Sequence, residues 1–581
     1  MTQPFVESPK PSWALSALLV FLTYHLLSPF LTNHSVPGWG EDPIFCAFTL
    51  KEVSRKFAEG WTPLGDEFWN IRMYYPSTKV LAFSDPLILP GFLLFLAQKV
   101  GLPMFLSINM IFCLFIISGW LSATLFFCSF GIEKKLAATG GWLWAFSSHL
   151  LSQSAHFQNT LAFGIPLSLS GMMLMSSEKK GGSAAFCGGL LILGCSNLYY
   201  LYFTLLTSGI LWALLLLVES SGPQRLRLLW RYPLLLCGTL ITLSPILYRY
   251  FEVKGIYGAA LTSRPFWLQQ HFAARPKDYF TSNLVSPLYS AYTAISDNFE
   301  RNAFPGLISL LLAFLGLLIA LIQLPKWMRG QLPVGVVKLP VVGIAFVIAG
   351  ALLSSGPLLL PSGYEWLRAH LPGFADIRAV GRFGILVVLG ETCLIVYGID
   401  TLRRCSMLPG IRVLVNFGLT LAVLLQIAER IVPQYRTWQV AVDPDHETTA
   451  ILAAIAAQPS QGPLLEIGFD ESQAVHVNAL RRALHHEVPV LNGYSGFEPQ
   501  GYALRSLASS DQGCDILMHD YWSLLKSSGL LLVKGKDSEE TKRVGQCLQN
   551  VGLSLVARGD GQNGMAWLLL CNSETNRKKF A

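Results

Sequence analysis

Two adjacent carboxylates, Glu41 and Asp42, lie in the run Gly38-Trp39-Gly40-Glu41-Asp42-Pro43-Ile44-Phe45, and Asp85 follows in the same polar stretch. A carboxylate held near a reacting hydroxyl can take its proton as a general base. Asp42, Asp85 and Glu41 are the candidates for that work. Pro43 restricts the backbone before it, so an extended, non-helical turn is expected to hold Asp42. The cations suited to an anionic ligand are Arg264, Arg378 and Arg382, because guanidinium forks match phosphate oxygens. Arg378-Ala379-Val380-Gly381-Arg382, if helical, presents both arginines on one face. His156, Tyr199, Tyr200 and Trp39 are the candidates for binding substrate by hydrogen bonding or by stacking on a sugar ring.

The chain that must position these groups has 581 residues, 52% hydrophobic and only 14% charged, with a mean hydropathy of +0.45. Soluble domains carry about 25% charged residues. Apolar runs approaching the roughly 20 residues that cross a bilayer recur along most of the chain. The composition therefore predicts a polytopic α-helical membrane bundle of about eleven transmembrane helices. The runs fall near 13–31, 103–129, 137–153, 158–176, 183–197, 199–219, 232–251, 304–324, 337–355, 382–400 and 411–428. The first is too long for a signal-peptide core and lacks a cleavage site, so it is expected to be a retained anchor. The net charge of +7 arises from cations in short loops and requires no nucleic-acid partner. Most of the 11 cysteines sit in apolar runs, as Cys113, Cys128, Cys187 and Cys237 do, where they act as small hydrophobes. No CxxC, zinc spacing or disulfide framework is visible; no cofactor is expected, and a divalent metal stays open without support from the sequence. His485-His486-Glu487 reads as a solvated turn, because neighbouring residues on a helix do not face one way.

The cations orient the bundle. If the short apolar stretch 85–99 does not cross, then Lys134, Lys135, Lys179, Lys180, Arg225, Arg227, Arg231, Lys326, Arg329, Arg403 and Arg404 all fall on one side. The positive-inside rule makes that side cytoplasmic. The N-terminus is then inside, the loops 32–102, 252–303 and 356–381 are outside, and 85–99 is an interfacial or re-entrant helix. Four units follow: 1–31, the N-terminus and first span; 32–102, a large outer loop with juxtamembrane helices; 103–429, the bundle; and 430–581. The last is expected to be a small α/β domain on the outer face. Its short buried strands are Gly462 to Ile467, Asp515 to Met518, Leu530 to Val533 and Leu553 to Val556, with a helix from Ser538 to Asn550. Every candidate site residue then sits on the outer face of a plasma (inner) membrane protein. Inside the spans Glu391 is the conspicuous acid, a functional candidate by default.

Asp42-Pro43-Ile44-Phe45 is similar to the Asp-Pro-x-Phe stretch near the catalytic loop of oligosaccharyltransferases. Further stretches are His156-Phe157-Gln158, Phe304-Pro305-Gly306-Leu307, Leu353-Ser354-Ser355-Gly356-Pro357, Pro372-Gly373-Phe374 through Arg378 and Arg382, and Asn492-Gly493-Tyr494-Ser495-Gly496. In that order they cover most of the chain and resemble a bacterial group within the GT-C superfamily of membrane glycosyltransferases. The resemblance implies sugar transfer from a polyprenyl-phosphate-linked donor to an extracytoplasmic glycan, lipid or protein acceptor, by single displacement with a carboxylate base. It also implies donor-phosphate binding by Arg378, Arg382 and Arg264. The chain departs from oligosaccharyltransferases in lacking a Trp-Trp-Asp motif and a second Asp-x-Asp or Asp-x-Glu pair, which speaks against a metal and a peptide acceptor. A lipid-linked sugar transporter or flippase, and a non-catalytic scaffold of cell-surface polysaccharide assembly, are the alternatives. A dead-end polar site facing outward favours transfer, and a polar path through the bundle favours transport.

Overall fold

The computed structural model describes residues 13–218, 222–258, 264–281, 286, 288, 298–329, 334–404, 409–458, 462–468, 474–497, 499, 529–535, 538–550, 553–560 and 566–572. Among these, seven helices are long and apolar enough to cross a membrane, by length and composition. They are Met104–Ser129, Leu198–Val218, Gly222–Tyr257, Leu307–Trp327, Val337–Leu359, Val380–Arg404 and Gly410–Thr437.

The expected stretches near 13–31, 137–153, 158–176 and 183–197 instead form shorter helices. These are Trp13–Leu27, Lys134–Ala145 followed by Ser148–Gln153, Gly164–Ser176 and Gly182–Gly194. The 13 residues of Gly164–Ser176 give a helix of only about 20 Å. The break comes at Ser147, whose hydroxyl accepts the Leu150 N–H and starts a new helix, and a 3-10 turn spans Phe157–Phe163. A hydropathy window averages over such a cap and does not register it. The polar residues of the broken stretch, His149, Ser152, Gln153 and His156, are all buried inside the bundle.

The Gly222–Tyr257 helix has 36 residues and would extend roughly 54 Å, well beyond a hydrocarbon core. Its far end braces the first polar loop. Tyr250 donates to the Ser84 carbonyl at 2.8 Å, and Arg249 donates to that of Leu64 at 2.9 Å. Within the loop, the Asp42–Ala58 helix is buried all round from Pro43 to Leu50, and Ile88–Lys99 is a separate 12-residue apolar helix. Ser35–Pro37 pairs antiparallel with Gln439–Ala441, joining the chain after the last long helix to the segment that leads into Asp42.

Beyond residue 430, Leu464–Gly468, Leu530–Gly535, Ala566–Asn572 and Leu553–Asp560 form a four-stranded sheet in that order. The first pair is parallel, and the others are antiparallel. Leu464, Leu465 and Ile467 are all buried, the near-continuous apolar pattern of a strand covered on both faces. The helices His446–Ala456, Ala474–Ala483 and Ser538–Asn550 accompany the sheet. The stretch Asp515 to Met518 lies outside the described residues, and Ala566–Asn572 is a strand the sequence reading did not single out. Cys113, Cys128, Cys187 and Cys237 are free, as read, but Cys547 is disulfide-bonded, which the cysteine spacing did not signal.

This C-terminal part is fastened to the Asp42–Ala58 helix. Glu52 is fully buried and accepts from the Arg72 guanidinium at 2.7–3.3 Å, from the Arg72 backbone N–H at 3.0 Å and from Arg55 at 2.9 Å. Burial alone would push the Glu52 carboxyl up; hydrogen bonds and charge from Arg72 and Arg55 override it and hold the group below its ordinary value. Arg72 also donates to the Glu487 carbonyl at 2.7 Å. Lys51 donates to the carbonyls of Ala483, Leu484 and His486 at 2.9–3.2 Å, closing the C-terminal end of the Ala474–Ala483 helix. The turn His485-His486-Glu487 is therefore a docking element. Its histidines are half-buried, and only Glu487 is exposed, in place of the solvated turn expected.

Candidate active site

Asp42 opens the Asp42–Ala58 helix, and Pro43 is its second residue. A proline costs nothing there, since the first N–H groups of a helix have no internal partner. The extended turn expected around Asp42 is thus replaced by a helical first turn, where the helix dipole favours a negative charge. Gly38 makes the approach possible: its φ is +119°, and a Cβ there would lie 2.6 Å from Pro43 Cγ. The Asp42 side chain is 28% exposed. One of its oxygens lies 3.2 Å from His156 Nδ1, and the other accepts a hydrogen bond from the Tyr494 hydroxyl at 3.3 Å. Glu41 is beside it; burial and the Asp42 charge push its carboxyl up, and it makes no ion pair among the described residues.

Behind Asp42 a line of ionisable side chains continues inward. His156 Nε2 lies 3.2 Å from Glu300 Oε1, and Arg382 grips Glu300 with two hydrogen bonds of 2.5 and 2.7 Å. Burial would push the Glu300 carboxyl up, but Arg382 and His156 hold it well below its ordinary value. Glu300 and Arg382 are 3% and 4% exposed. The Arg382 guanidinium also faces the Tyr199 ring, 5.3 Å from its centroid. His149 holds the neighbouring turn through the Asn302 carbonyl, and the Gly381 N–H donates to the Phe272 carbonyl at 3.0 Å.

Asp85 lies against the start of the Leu198–Val218 helix. Its Oδ1 accepts the Leu198 N–H at 2.8 Å, while Asn197 Oδ1 accepts that of Tyr200 at 2.9 Å. Two acceptors thus satisfy N–H groups that a helix start leaves unpaired. Burial pushes the Asp85 carboxyl up to about 6, against the Leu198 hydrogen bond and the nearby charges of Arg382 and His156, which act to lower it. An acid whose folded value is raised contributes stability that is fully present below its unfolded value, near 3.8, and lost as pH rises through about 6. Asp85→Asn keeps an oxygen for the Leu198 N–H and does not titrate. The difference in Tm between this variant and the wild type is expected to shift by a few degrees in the variant's favour from about pH 4 to about pH 6, read by thermal unfolding of the purified protein.

The arginines divide by what they touch. Arg378 and Arg382 do not share a helical face, because the 3-10 turn Val380–Phe383 begins only after Arg378. Arg382 is committed to Glu300. Arg378 is partly exposed, its N–H donates to the Tyr199 hydroxyl at 2.9 Å, and its guanidinium lies 5.2 Å from the Phe272 ring centroid. It has no carboxylate partner among the described residues, and its charge reaches the Tyr494 phenol. Arg264 donates to the Gly496 carbonyl and lies 3.8 Å from the Phe497 ring centroid, and burial lowers its pKa. Tyr200 is fully buried behind this layer. Trp39 is half-buried against Trp438, with ring centroids 5.8 Å apart.

The structure thus brings Asp42, His156, Asp85, Tyr199 and Arg382 into one neighbourhood, and adds Glu300 and Tyr494. Glu300 carried no signal in the sequence beyond being an acid in an outer loop. Tyr494 was visible as an aromatic in the glycine-punctuated stretch Asn492-Gly493-Tyr494-Ser495-Gly496, with no role attached to it. Among the described residues, no three His, Cys, Asp or Glu side chains gather as a metal site. Glu391 lies apart, buried within the Val380–Arg404 helix.

No protein-family model matches the sequence, and no curated protein matches it. Among solved structures, the chain superposes on the arabinofuranosyltransferase AftD from mycobacteria with a TM-score of 0.58 and 14% identity, over 97% of this chain. The chain therefore shares the fold of AftD. The chain spans 40% of the length of AftD. It also aligns with ArnT from Cupriavidus metallidurans bound to undecaprenyl phosphate, at a TM-score of 0.48 and 12% identity, covering 97% of this chain and 98% of ArnT. Within this fold, the Asp42–His156–Glu300–Arg382 line runs from the partly exposed first loop into the buried start of the Val380–Arg404 helix.

Proposed function

We propose that this chain is a membrane glycosyltransferase that moves a sugar from a polyprenyl-phosphate donor to a glycan, lipid or protein acceptor on the outer face of the plasma membrane. The observation that carries the reading is a partly exposed Asp42 carboxylate, held from both sides, whose Tyr494 partner feels the charge of an Arg378 guanidinium that has no carboxylate among the described residues. In the proposed step the acceptor hydroxyl oxygen attacks the anomeric carbon while its proton passes to Asp42. The bond from that carbon to the lipid phosphate oxygen breaks, and the electron pair leaves with the phosphate. A phosphate is already a good leaving group, so the protein's part is to stabilise its charge, and Arg378 is the cation available for it. The disulfide at Cys547 supports an outer placement of the C-terminal part, since disulfides persist in oxidising compartments.

The test is transfer by the full chain in nanodiscs, using synthetic undecaprenyl-phosphate arabinofuranose, mannose and glucose as donors and following loss of sugar from the lipid. Loss that depends on Asp42 supports the reading, and no loss from any donor in the panel counts against it. Arg378→Ala is expected to raise the donor KM about tenfold or more, the usual scale of a hydrogen bond to a charged group, with Tm unchanged. An unchanged KM would move the phosphate contact away from Arg378.

A further inference from the structure

The Asp42 carboxylate receives a hydrogen bond from far along the chain. Tyr494 is separated from it by 452 residues, and its hydroxyl reaches Asp42 Oδ1 at 3.3 Å. The loop that carries Tyr494 is held at several points. Asn492 is buried and pins the loop to the Leu464–Gly468 strand, accepting the Glu466 N–H at 2.7 Å and donating to the Glu466 carbonyl at 2.8 Å. The Tyr74 N–H donates to the Asn492 carbonyl at 3.1 Å, and the Val490 N–H donates to that of Arg72 at 3.0 Å, so this stretch pairs with the first outer loop. Gly493 lies against the Tyr74 ring, where a Cβ would come within 2.5 Å. Beyond Tyr494, Arg264 holds Gly496 and Phe497. The Tyr494 ring itself packs edge-on against Phe45, with centroids 5.8 Å apart.

A ring so fixed carries its hydroxyl in a fixed place. Burial and the charges of Asp42 and Glu41 keep the phenol protonated, so it is the donor in this pair. A carboxylate has about four lone-pair positions. With His156 beside one oxygen and Tyr494 on the other, the plane of the Asp42 carboxylate is set while lone pairs remain for an incoming hydroxyl. Orientation of this kind lowers a barrier without adding a reacting group.

We propose that Tyr494 is a positioning residue for Asp42, and that the active site is complete only when the C-terminal part is docked on the first outer loop. The proposal rests on the reading of Asp42 as the base. It assigns the C-terminal part a place in the site itself, as the wall opposite His156.

Tyr494→Phe tests it, because the ring and its packing on Phe45 stay and only the hydroxyl goes. The full chain in nanodiscs is assayed with the undecaprenyl-phosphate donor that the wild type uses. In parallel, carboxyl groups are labelled with a carbodiimide and glycine ethyl ester and read by mass spectrometry, with the exposed Glu67 as internal reference. The expected result is an unchanged Tm, a kcat lowered about tenfold with donor KM within about twofold, and several-fold greater labelling of Asp42. Gly493→Ala, which must push the loop off Tyr74, is expected to give the same kcat loss and the same rise in labelling. Wild-type kcat in Tyr494→Phe, or unchanged Asp42 labelling in both variants, overturns the proposal. Absence of transfer in the wild type and the variant alike overturns the reading beneath it, an outcome distinct from a variant that matches an active wild type.

Discussion

Asp42→Asn is expected to lower kcat at least a hundredfold, with donor KM and Tm close to those of the wild type. The variant is nearly isosteric, keeps an oxygen for the Tyr494 hydroxyl, and loses the carboxylate charge and with it the ability to take a proton. General-base removal typically costs about 10² to 10⁴ in rate. Loss of kcat at constant KM is the signature of an interaction made in the transition state. Steady-state transfer with purified protein in nanodiscs measures it. Asp85→Asn is the informative comparison. Asp85 Oδ1 is already occupied by the Leu198 N–H, so its substitution is expected to affect transfer far less. A larger effect at Asp85 than at Asp42 would transfer the base role to the deeper acid.

The second large effect concerns stability. Glu300→Gln leaves the Arg382 guanidinium, only 4% exposed, without its counter-charge. Breaking a buried ion pair from one side costs about 3–5 kcal/mol, most of it the penalty for the charge left behind. Arg382→Met alone strands Glu300 in the same way. The double variant Glu300→Leu with Arg382→Met removes both charges and is expected to recover much of the lost stability in thermal unfolding, since apolar replacements of buried pairs are often close to neutral. Transfer is expected to stay low in the double variant, because His156 then has no anchor opposite Asp42. Full activity in the recovered double variant would show that the inner pair serves folding alone.

These two groups show where sequence and structure part. Asp42 could be found by reading, because it stands beside a proline in the first polar stretch after an apolar run and lies in a recognisable pattern of stretches. His156 could be found as an imidazole at the outer end of an apolar run. The partner of both, Glu300, could not, since nothing in Phe299-Glu300-Arg301 sets it apart from any solvated acid. The same limit applied to helix breaks. The run 137–153 has the hydropathy of a span, yet Ser147 caps a new helix within it, and this break leads to the turn on which His156 enters the bundle.

By itself the sequence determined the membrane class, the long apolar helices, the short apolar strands of the C-terminal part and the presence of acids, arginines and aromatics in the polar stretches between them. All of these follow from composition and periodicity, which act over a few residues at a time. Only the tertiary structure decided that Asp42 starts a helix, that Arg382 is spent on Glu300 while Arg378 is not, and that Tyr494 reaches Asp42. Those outcomes depend on which buried charge finds which counter-charge across hundreds of residues. That choice is made by packing geometry and desolvation, and neither leaves a local pattern in the chain.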